Sequence, residues 1–483
     1  MSLIKRLGSL LFIAAVANAA HAGETIRVAI GTQDTTINCA TGGLLIRELN
    51  LLQKYLPHDG RYRNVTYDVQ WANFTSGAPL TGEMVAGKLD IGAMADFPGV
   101  NNGAAFLKAN KRSVFISVLS GSILGSGNGI VVPLNSKITS LSQLKGHTIS
   151  VPFASTAHGM LLRAIAAQGW DPQNDVNVIT QAPEVAGPAL QAGKIEAHAD
   201  FVPFAELFEY RGIARKIFDG AQTNAPTFHG ALVSADYAQK YPEVVVAYLR
   251  AALEADRLVT ADPEKFSLLV EKVTGIEAAV NYLYYGPLGL QTRDFTWKPE
   301  YRRAVTTAIQ TLTLLGRPSP LQANTFIDDR YIRAAFKASG LDYDTSLANY
   351  AKSPLHAKDA VTGRPITDVR RAAGIWLRDE PKVRHYASIE SALSDLRHIQ
   401  QAGRPWRAVY VQDLTRGIKL LAPNAWYATE AGGQLSAFLQ KDDAAAYATT
   451  HGGRVLDFAG AQAAAQAQRS GQVSGRVPER KPS

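Results

Sequence analysis

Residues 86–98 and 192–203 are built alike, and that likeness constrains the fold more than any other feature of the chain. Ala86-Gly87-Lys88-Leu89-Asp90 leads to Ala95-Asp96-Phe97-Pro98; Ala192-Gly193-Lys194-Ile195-Glu196 leads to Ala199-Asp200-Phe201-Val202-Pro203. Each stretch ends a helix with Gly, runs a short apolar strand and finishes with Asp-Phe where the strand emerges. Two similarly folded lobes would produce this echo. A Gly cap between helix and strand would by itself produce part of it.

The flanking patterns extend both halves. Thr25-Ile26-Arg27-Val28-Ala29-Ile30 alternates and is β-branched, so it reads as a strand. Apolar residues at 45, 49, 52 and 56 mark a helix over 44–56, stopped by Pro57. A strand at 65–71, a helix opened by Ser76 and a strand at 89–94 follow. In the second half, strands at 147–152, 176–180 and 195–199 alternate with helices opening at Ser155-Thr156 and Pro183. Strand–helix alternation of this kind predicts open parallel α/β sheets. Residues 237–333 are helical, with Pro242 and Pro263 in first-turn positions.

From 341 to 358 the pattern is irregular, and beyond it the grammar changes. Strands at 374–378, 383–387, 406–414, 425–429 and 454–458 and helices at 388–401 and 441–451 give a strand–strand–helix unit used twice, a small α+β domain. Residues 463–483, rich in Ala, Gln, Ser and Arg, read as a disordered tail.

Composition removes whole classes. With 46% hydrophobic and 19% charged residues, 483 residues can bury substantial cores. One cysteine excludes a disulfide framework and Cys-based zinc clusters. The charge of +8 is scattered except at Arg370-Arg371 and in the tail, which argues against a nucleic-acid partner. Lys5 and Arg6, the apolar run 7–20 and Ala20-His21-Ala22 form a signal peptide over 1–22, with Gly23 the mature start. The run is shorter than the roughly 20 residues of a membrane span, the alternative. The mature chain, its charge reduced to +6, is expected in the periplasm, with Cys39 a buried, inert thiol.

No HExxH, GxSxG, Walker or dinucleotide motif is present, so neither an enzyme nor a cofactor or metal site is expected. Pairing Cys39 with a histidine is cheap in a chain holding ten. The candidate ligand residues lie where strands run into helices. Gln33, Asp34 and Thr41-Gly42-Gly43 precede the first helix; Ser155, Thr156, Ala157 and His158 open the corresponding helix of the second half. Helix N-termini offer unpaired N–H groups and partial positive charge, suited to a small anion, at the strand ends where α/β sheets bind ligands. Plain capping is the commoner use of such residues. Asp96, Phe97 and His229 sit at further strand ends; Phe97 could wall an apolar group and His229 donate a hydrogen bond, or both could simply belong to the core. Glu206 faces either the cleft or solvent.

Residues 24 to about 335 resemble the nitrate/sulfonate/taurine family of periplasmic substrate-binding proteins of ABC importers. The likeness is carried by Met84-Val85-Ala86-Gly87-Lys88-Leu89-Asp90-Ile91-Gly92, by the run from Ile138 to Ile149, by Ser155-Thr156-Ala157-His158 and by Pro183 onward to Ala197. The resemblance implies a two-lobed periplasmic-binding-protein fold of type II, with lobe 1 over 23–128 and 232–340 and lobe 2 over 129–231. It implies crossover strands near 129–133 and 229–233. It further implies capture of a small oxyanion or organosulfonate by lobe closure and delivery to a membrane permease by a monomer. By position, Gln33, Thr41 to Gly43, Asp96, Phe97, Ser155 to His158 and Glu206 match that family's cleft-lining segments. No Arg stands in these motifs.

A second resemblance covers roughly 356–462. Trp406-Arg407-Ala408-Val409-Tyr410-Val411-Gln412-Asp413 and the run from Asp443 to Phe458 look like the NosL family, copper-binding accessory proteins of nitrous oxide reductase. Copper(I) favours soft sulfur ligands, and this segment has neither Cys nor Met. The expectation is a NosL-like domain over 359–462, joined by a linker over 341–358, with its copper site lost. Two rival functions stay open: a copper chaperone acting through His356, His385, His398 or His451, and a carrier of a neutral heterocycle such as a pyrimidine precursor, resting on His158, His229 and Glu206.

Overall fold

The computed structural model describes residues 24–350 and 354–474; the expected signal peptide lies outside the described residues. Lobe 1 is a five-stranded sheet in the order β2-β1-β3-β10-β4, from β1 (Thr25–Thr32), β2 (Thr66–Asn73), β3 (Ile91–Ala95), β4 (Ser113–Ser122) and β10 (Thr227–Ser234). Lobe 2 repeats the plan as β7-β6-β8-β5-β9, from β5 (Gly129–Pro133), β6 (Thr148–Val151), β7 (Asn177–Thr180), β8 (Ala197–Asp200) and β9 (Ala214–Asp219). In each sheet three parallel strands meet one antiparallel strand that has just crossed from the other lobe: β10 in lobe 1 and β5 in lobe 2.

The echoed Asp-Phe pairs make the same local bond in both lobes. Phe97 N–H donates to Asp96 at 2.6 Å and Phe201 N–H to Asp200 at 2.8 Å. Where the two crossing segments pass, neither can carry a side chain: a Cβ on Gly125 would overlap the carbonyl oxygen of Ala225, and one on Gly220 that of Gly125. Gly125 also has φ +99°, a conformation only glycine adopts without strain. These glycines mark where the chain crosses between the lobes.

Lobe 1 carries α1 (Leu44–Glu48), α2 (Leu51–Tyr55), α3 (Gly77–Val85) and α4 (Asp96–Lys108); lobe 2 carries α5 (Thr156–Ala167), α6 (Pro183–Gln191) and α7 (Phe204–Tyr210). The single helix expected over 44–56 is broken in two because Asn50 turns left-handed, at φ 52°. After β10 come α8 (Ala235–Lys240), α9 (Pro242–Ala261), α10 (Pro263–Thr274), α11 (Ala278–Tyr285), α12 (Pro299–Leu314), α13 (Ala323–Phe326), α14 (Arg330–Ala338) and α15 (Tyr343–Ala348). The start of the expected linker is thus a packed helix. Tyr343 lies edge-on to Phe336, and Lys298 Nζ donates to the carbonyls of Ser346 and Leu347 at 2.7 and 3.0 Å.

The C-terminal module is the same unit built twice. Strands β11 (Ala373–Leu377), β12 (Arg384–Tyr386) and β13 (Trp406–Gln412), with α16 (Ile389–Gln401) between the last two, pair antiparallel in the order β12-β11-β13, and β14 (Lys419–Leu421) extends the sheet. Strands β15 (Trp426–Thr429), β16 (Leu435–Phe438) and β17 (Val455–Leu456), with α17 (Lys441–Thr450) before the last, pair as β16-β15-β17. The strands β14 and β16 are absent from the sequence reading: each is short and buried along its length, so neither alternates. The tail read as disordered from 463 continues instead as α18 (Phe458–Ser474), whose alanines Ala461 and Ala465 bury one face. Residues 475–483 lie outside the described residues.

Candidate ligand site between the lobes

A cavity lies between the lobes at the carboxyl ends of five strands. Gln33 and Thr36 follow β1, Ser76 and Gly77 follow β2, and Ala95 and Pro98 stand where β3 enters α4. From lobe 2 come Ser155 and Thr156 after β6 and Phe201 after β8; His229 of β10, paired in register with Ala95, completes the lining. The cavity is tightly closed, with a volume of ≈ 10 Å³, room for about one water. Three helices, α3, α4 and α5, begin on this cavity, and first-turn N–H groups have no partners within their own helices. Among the described residues lining it, none carries a formal charge.

Two polar atoms there are orphaned. Thr36 Oγ1 and His229 Nδ1 have no hydrogen-bond partner, although their residues are only 2% and 1% exposed. A buried polar atom left unpaired costs about 1–3 kcal/mol, so such atoms point to a group that completes them. Burial drives the His229 pKa down to about 3, leaving a neutral ring with one donor and one acceptor. The Gln33 amide is oriented by donating to the Ala93 carbonyl at 2.9 Å.

Of the residues singled out in the sequence, Gln33, Ser155, Thr156 and His229 reach the cavity; the others do not line it. Asp34 accepts the Thr32 hydroxyl at 2.7 Å and pairs with Arg47 at 3.0 Å. Thr41, Gly42 and Gly43 are buried around a 3-10 turn (Ile37–Gly42); the Gly42 carbonyl accepts Tyr248 OH at 2.6 Å, and a Cβ on Gly42 would press on Leu119. Asp96 and Phe97 meet α5 of the other lobe. The Phe97 ring packs on Gly159 and lies edge-on to His158 at 6.4 Å. Burial pushes Asp96 up to about 6 against the opposing pull of Arg163.

Ala157 is buried in α5. His158 stacks on Phe153 at 4.6 Å and accepts the Ala154 N–H at 3.2 Å; burial, with Arg317 nearby, lowers its pKa to about 4. Glu206 faces neither cleft nor solvent: Lys216 Nζ donates to it at 2.6 Å and Tyr284 OH at 2.7 Å, because an unpaired carboxylate could not be buried there. Sequence reasoning missed Thr36, Ser76, Gly77, Ala95, Pro98 and Phe201 as lining residues. Ser76-Gly77 carried a usable signal, being a third junction of strand and helix.

No three His, Cys, Asp or Glu side chains converge as a metal site among the described residues. Nor is any described helix long and apolar enough to cross a membrane.

Residues 56–273 match the model of the NMT1-like family. A putative aliphatic sulfonates-binding protein of Escherichia coli (strain K12) is 28% identical over 284 residues, 58% of this chain and 82% of the relative. The taurine-binding periplasmic protein of the same strain is 31% identical over 200 residues, 41% of this chain and 59% of the relative. Among solved structures, the periplasmic aliphatic sulphonate binding protein SsuA from Escherichia coli aligns with a TM-score of 0.51 at 25% identity, covering 65% of this chain and 99% of that one. The periplasmic nitrate-binding protein NrtA from Synechocystis PCC 6803 gives 0.52 at 16% identity, covering 69% and 93%. Over residues 56–273 the chain is similar to the NMT1-like family, and its two-lobed part has the fold of periplasmic binding proteins.

Proposed function

We propose that the protein is the exported solute-binding component of an ABC importer, taking a small oxyanion or organosulfonate between its lobes for a membrane permease. The observation that carries this is the cavity itself, where three helix N-termini converge beside the orphaned Thr36 Oγ1 and His229 Nδ1. Backbone N–H groups and neutral donors complement an anion without burying a counter-charge, which would have to be desolvated each time the lobes opened and closed. The lining offers no carboxylate for an ammonium group, which favours a simple anion over a zwitterion such as taurine. Pro98 and Phe201 border the space a short apolar substituent would fill. The mechanism is binding with hinge closure; no bond is broken.

The neutral-heterocycle reading keeps only His229, since His158 and Glu206 are engaged elsewhere. A NosL-like module with its copper site lost is carried on as part of this proposal. His451, the histidine nearest the quoted motif, stacks on Tyr447 at 3.9 Å with Nδ1 2.9 Å from the Tyr447 carbonyl.

A thermal-shift panel on the mature chain tests the proposal, using nitrate, methanesulfonate, taurine, uracil and copper(I). A ligand at about a hundred times its Kd adds about 2.7 kcal/mol. The expected result is a shift with methanesulfonate or nitrate and none with uracil or copper(I). A shift with copper(I) alone would overturn it.

A further inference from the structure

The C-terminal module grips the two-lobed domain beside the crossing between its lobes, at two places that belong to different bodies. We propose that it is a built-in brace, tying α11 to lobe 2 and so biasing the lobes toward closure, a role that presupposes the solute-binding reading above.

Helix α11 links the lobes through successive residues. Tyr284 OH donates to Glu206 of lobe 2 at 2.7 Å, and Tyr285 OH donates to the carbonyl of Ile37 in lobe 1 at 2.8 Å. When the lobes part, one of these contacts must yield. The module bears on the outer side of this helix: Tyr410 OH donates to the Ala279 carbonyl at 2.8 Å, and the Tyr282 ring lies 5.4 Å from those of both Trp376 and Tyr410. Lys382 adds ion pairs to Asp262 and Glu264 at the start of α10, at 2.7 and 3.1 Å.

The module's other grip is on lobe 2. Gln440 Nε2 donates to the carbonyl of Ile217 at 2.7 Å, in the strand that runs into the crossing at Gly220, and Tyr210 OH of α7 donates to the Arg407 carbonyl at 3.0 Å. The module, α11 and lobe 2 therefore close a triangle. Glu206 is further fixed by Lys216, which also bonds Asp219 at 3.1 Å. With that side held, Tyr285 to Ile37 is the contact left to give way. Ile37 begins the turn directly after Thr36, so the brace confines opening to the place where the ligand site is assembled.

The test uses the full chain and needs no ligand. Lys88 and Lys194 are exposed and occupy the echoed positions of the two lobes, and buried Cys39 will not compete for labels. Spin labels on Lys88→Cys and Lys194→Cys report the distance between lobes. Adding Gln440→Ala with Tyr410→Phe removes one bond from each grip. The expected result is a longer, broader distance distribution, with the open fraction raised about tenfold, the scale set by losing two buried hydrogen bonds. An unchanged distribution in a folded variant overturns the brace. Should that pair fail to fold, Lys382→Ala with Tyr410→Phe alters only α10 and α11 contacts and is judged by the same criterion. If the distance shifts but no anion binds, the solute-binding reading fails while the mechanical role stands; anion binding with unchanged distances has the opposite meaning.

Discussion

Replacing Thr36 by Val separates a ligand group from a core group at one position. The substitution keeps shape and volume and removes a hydroxyl that no protein atom satisfies at 2% exposure. The Thr36 backbone N–H, which donates to the Gln33 carbonyl at 2.9 Å, is untouched, so the loop keeps its form. Without ligand, removing an unsatisfied buried hydroxyl leaves stability unchanged or raises it by about 1 kcal/mol. With an anion bound, the same hydroxyl makes a hydrogen bond to a charged group, worth about 1.5–3 kcal/mol. Affinity should therefore fall by about 10- to 150-fold. Urea unfolding without ligand and calorimetric titration with the anion that shifts melting most in the panel measure the two quantities separately. Loss of stability with affinity unchanged would refute the reasoning, because Thr36 would then be packing and nothing more.

Three further outcomes follow from the geometry. Thr156→Val should weaken anion binding severalfold at nearly constant stability, whereas Ser155→Ala should also cost about 1 kcal/mol of stability, since Ser155 caps α5 through the His158 N–H; titration and melting together check this. Below about pH 6.5 three buried histidines pull stability down: His229, held at about 3, and His158 and His385, each at about 4, refuse protons that the unfolded chain accepts. Asp96, raised to about 6, Glu209, raised to about 7, and Asp200, Asp256 and Asp413, also raised by burial, act with the opposite sign, adding stability in acid that is lost as pH rises; the histidine part is therefore read from a variant, and the urea midpoint of His229→Gln should fall less than the parent's, or rise more, between about pH 7.5 and 5. Gly220→Ala should destabilise by more than about 2 kcal/mol in equilibrium unfolding, because its Cβ meets the Gly125 carbonyl, which cannot turn aside as a side chain would; a melting temperature equal to that of the parent would refute the close crossing.

The twin lobes were legible because their signals are local. Gly at a helix end, a short apolar strand and Asp-Phe after it all fall within a dozen residues, and the matching Asp96 and Asp200 bonds show the echo to be structural. Gln33, Ser155, Thr156 and His229 were legible as site residues for the same reason: each marks a strand end. Glu206 was not, since its partners Lys216 and Tyr284 lie in other elements and no spacing announces a buried ion pair. Thr36 was passed over because nothing in a turn sequence tells an orphaned hydroxyl from a satisfied one. The helix to Ser474 escaped because composition was read as disorder where small alanines pack one face against the module.

The place of β10 also sets the order in which the molecule can be assembled. It lies between β3 and β4 in its sheet, yet the whole of lobe 2 separates it from β4 in the chain. A chain emerging from its N-terminus therefore offers β1 to β4 with no strand to join the last two, while β5 to β9, contiguous in sequence, can complete the other sheet first. The lobe at the N-terminus finishes second, around a neighbour already folded, and through pairings distant in sequence, which are slow to form. His229 arrives on that last strand, so the cavity gains its final wall in the same step that makes the first lobe whole.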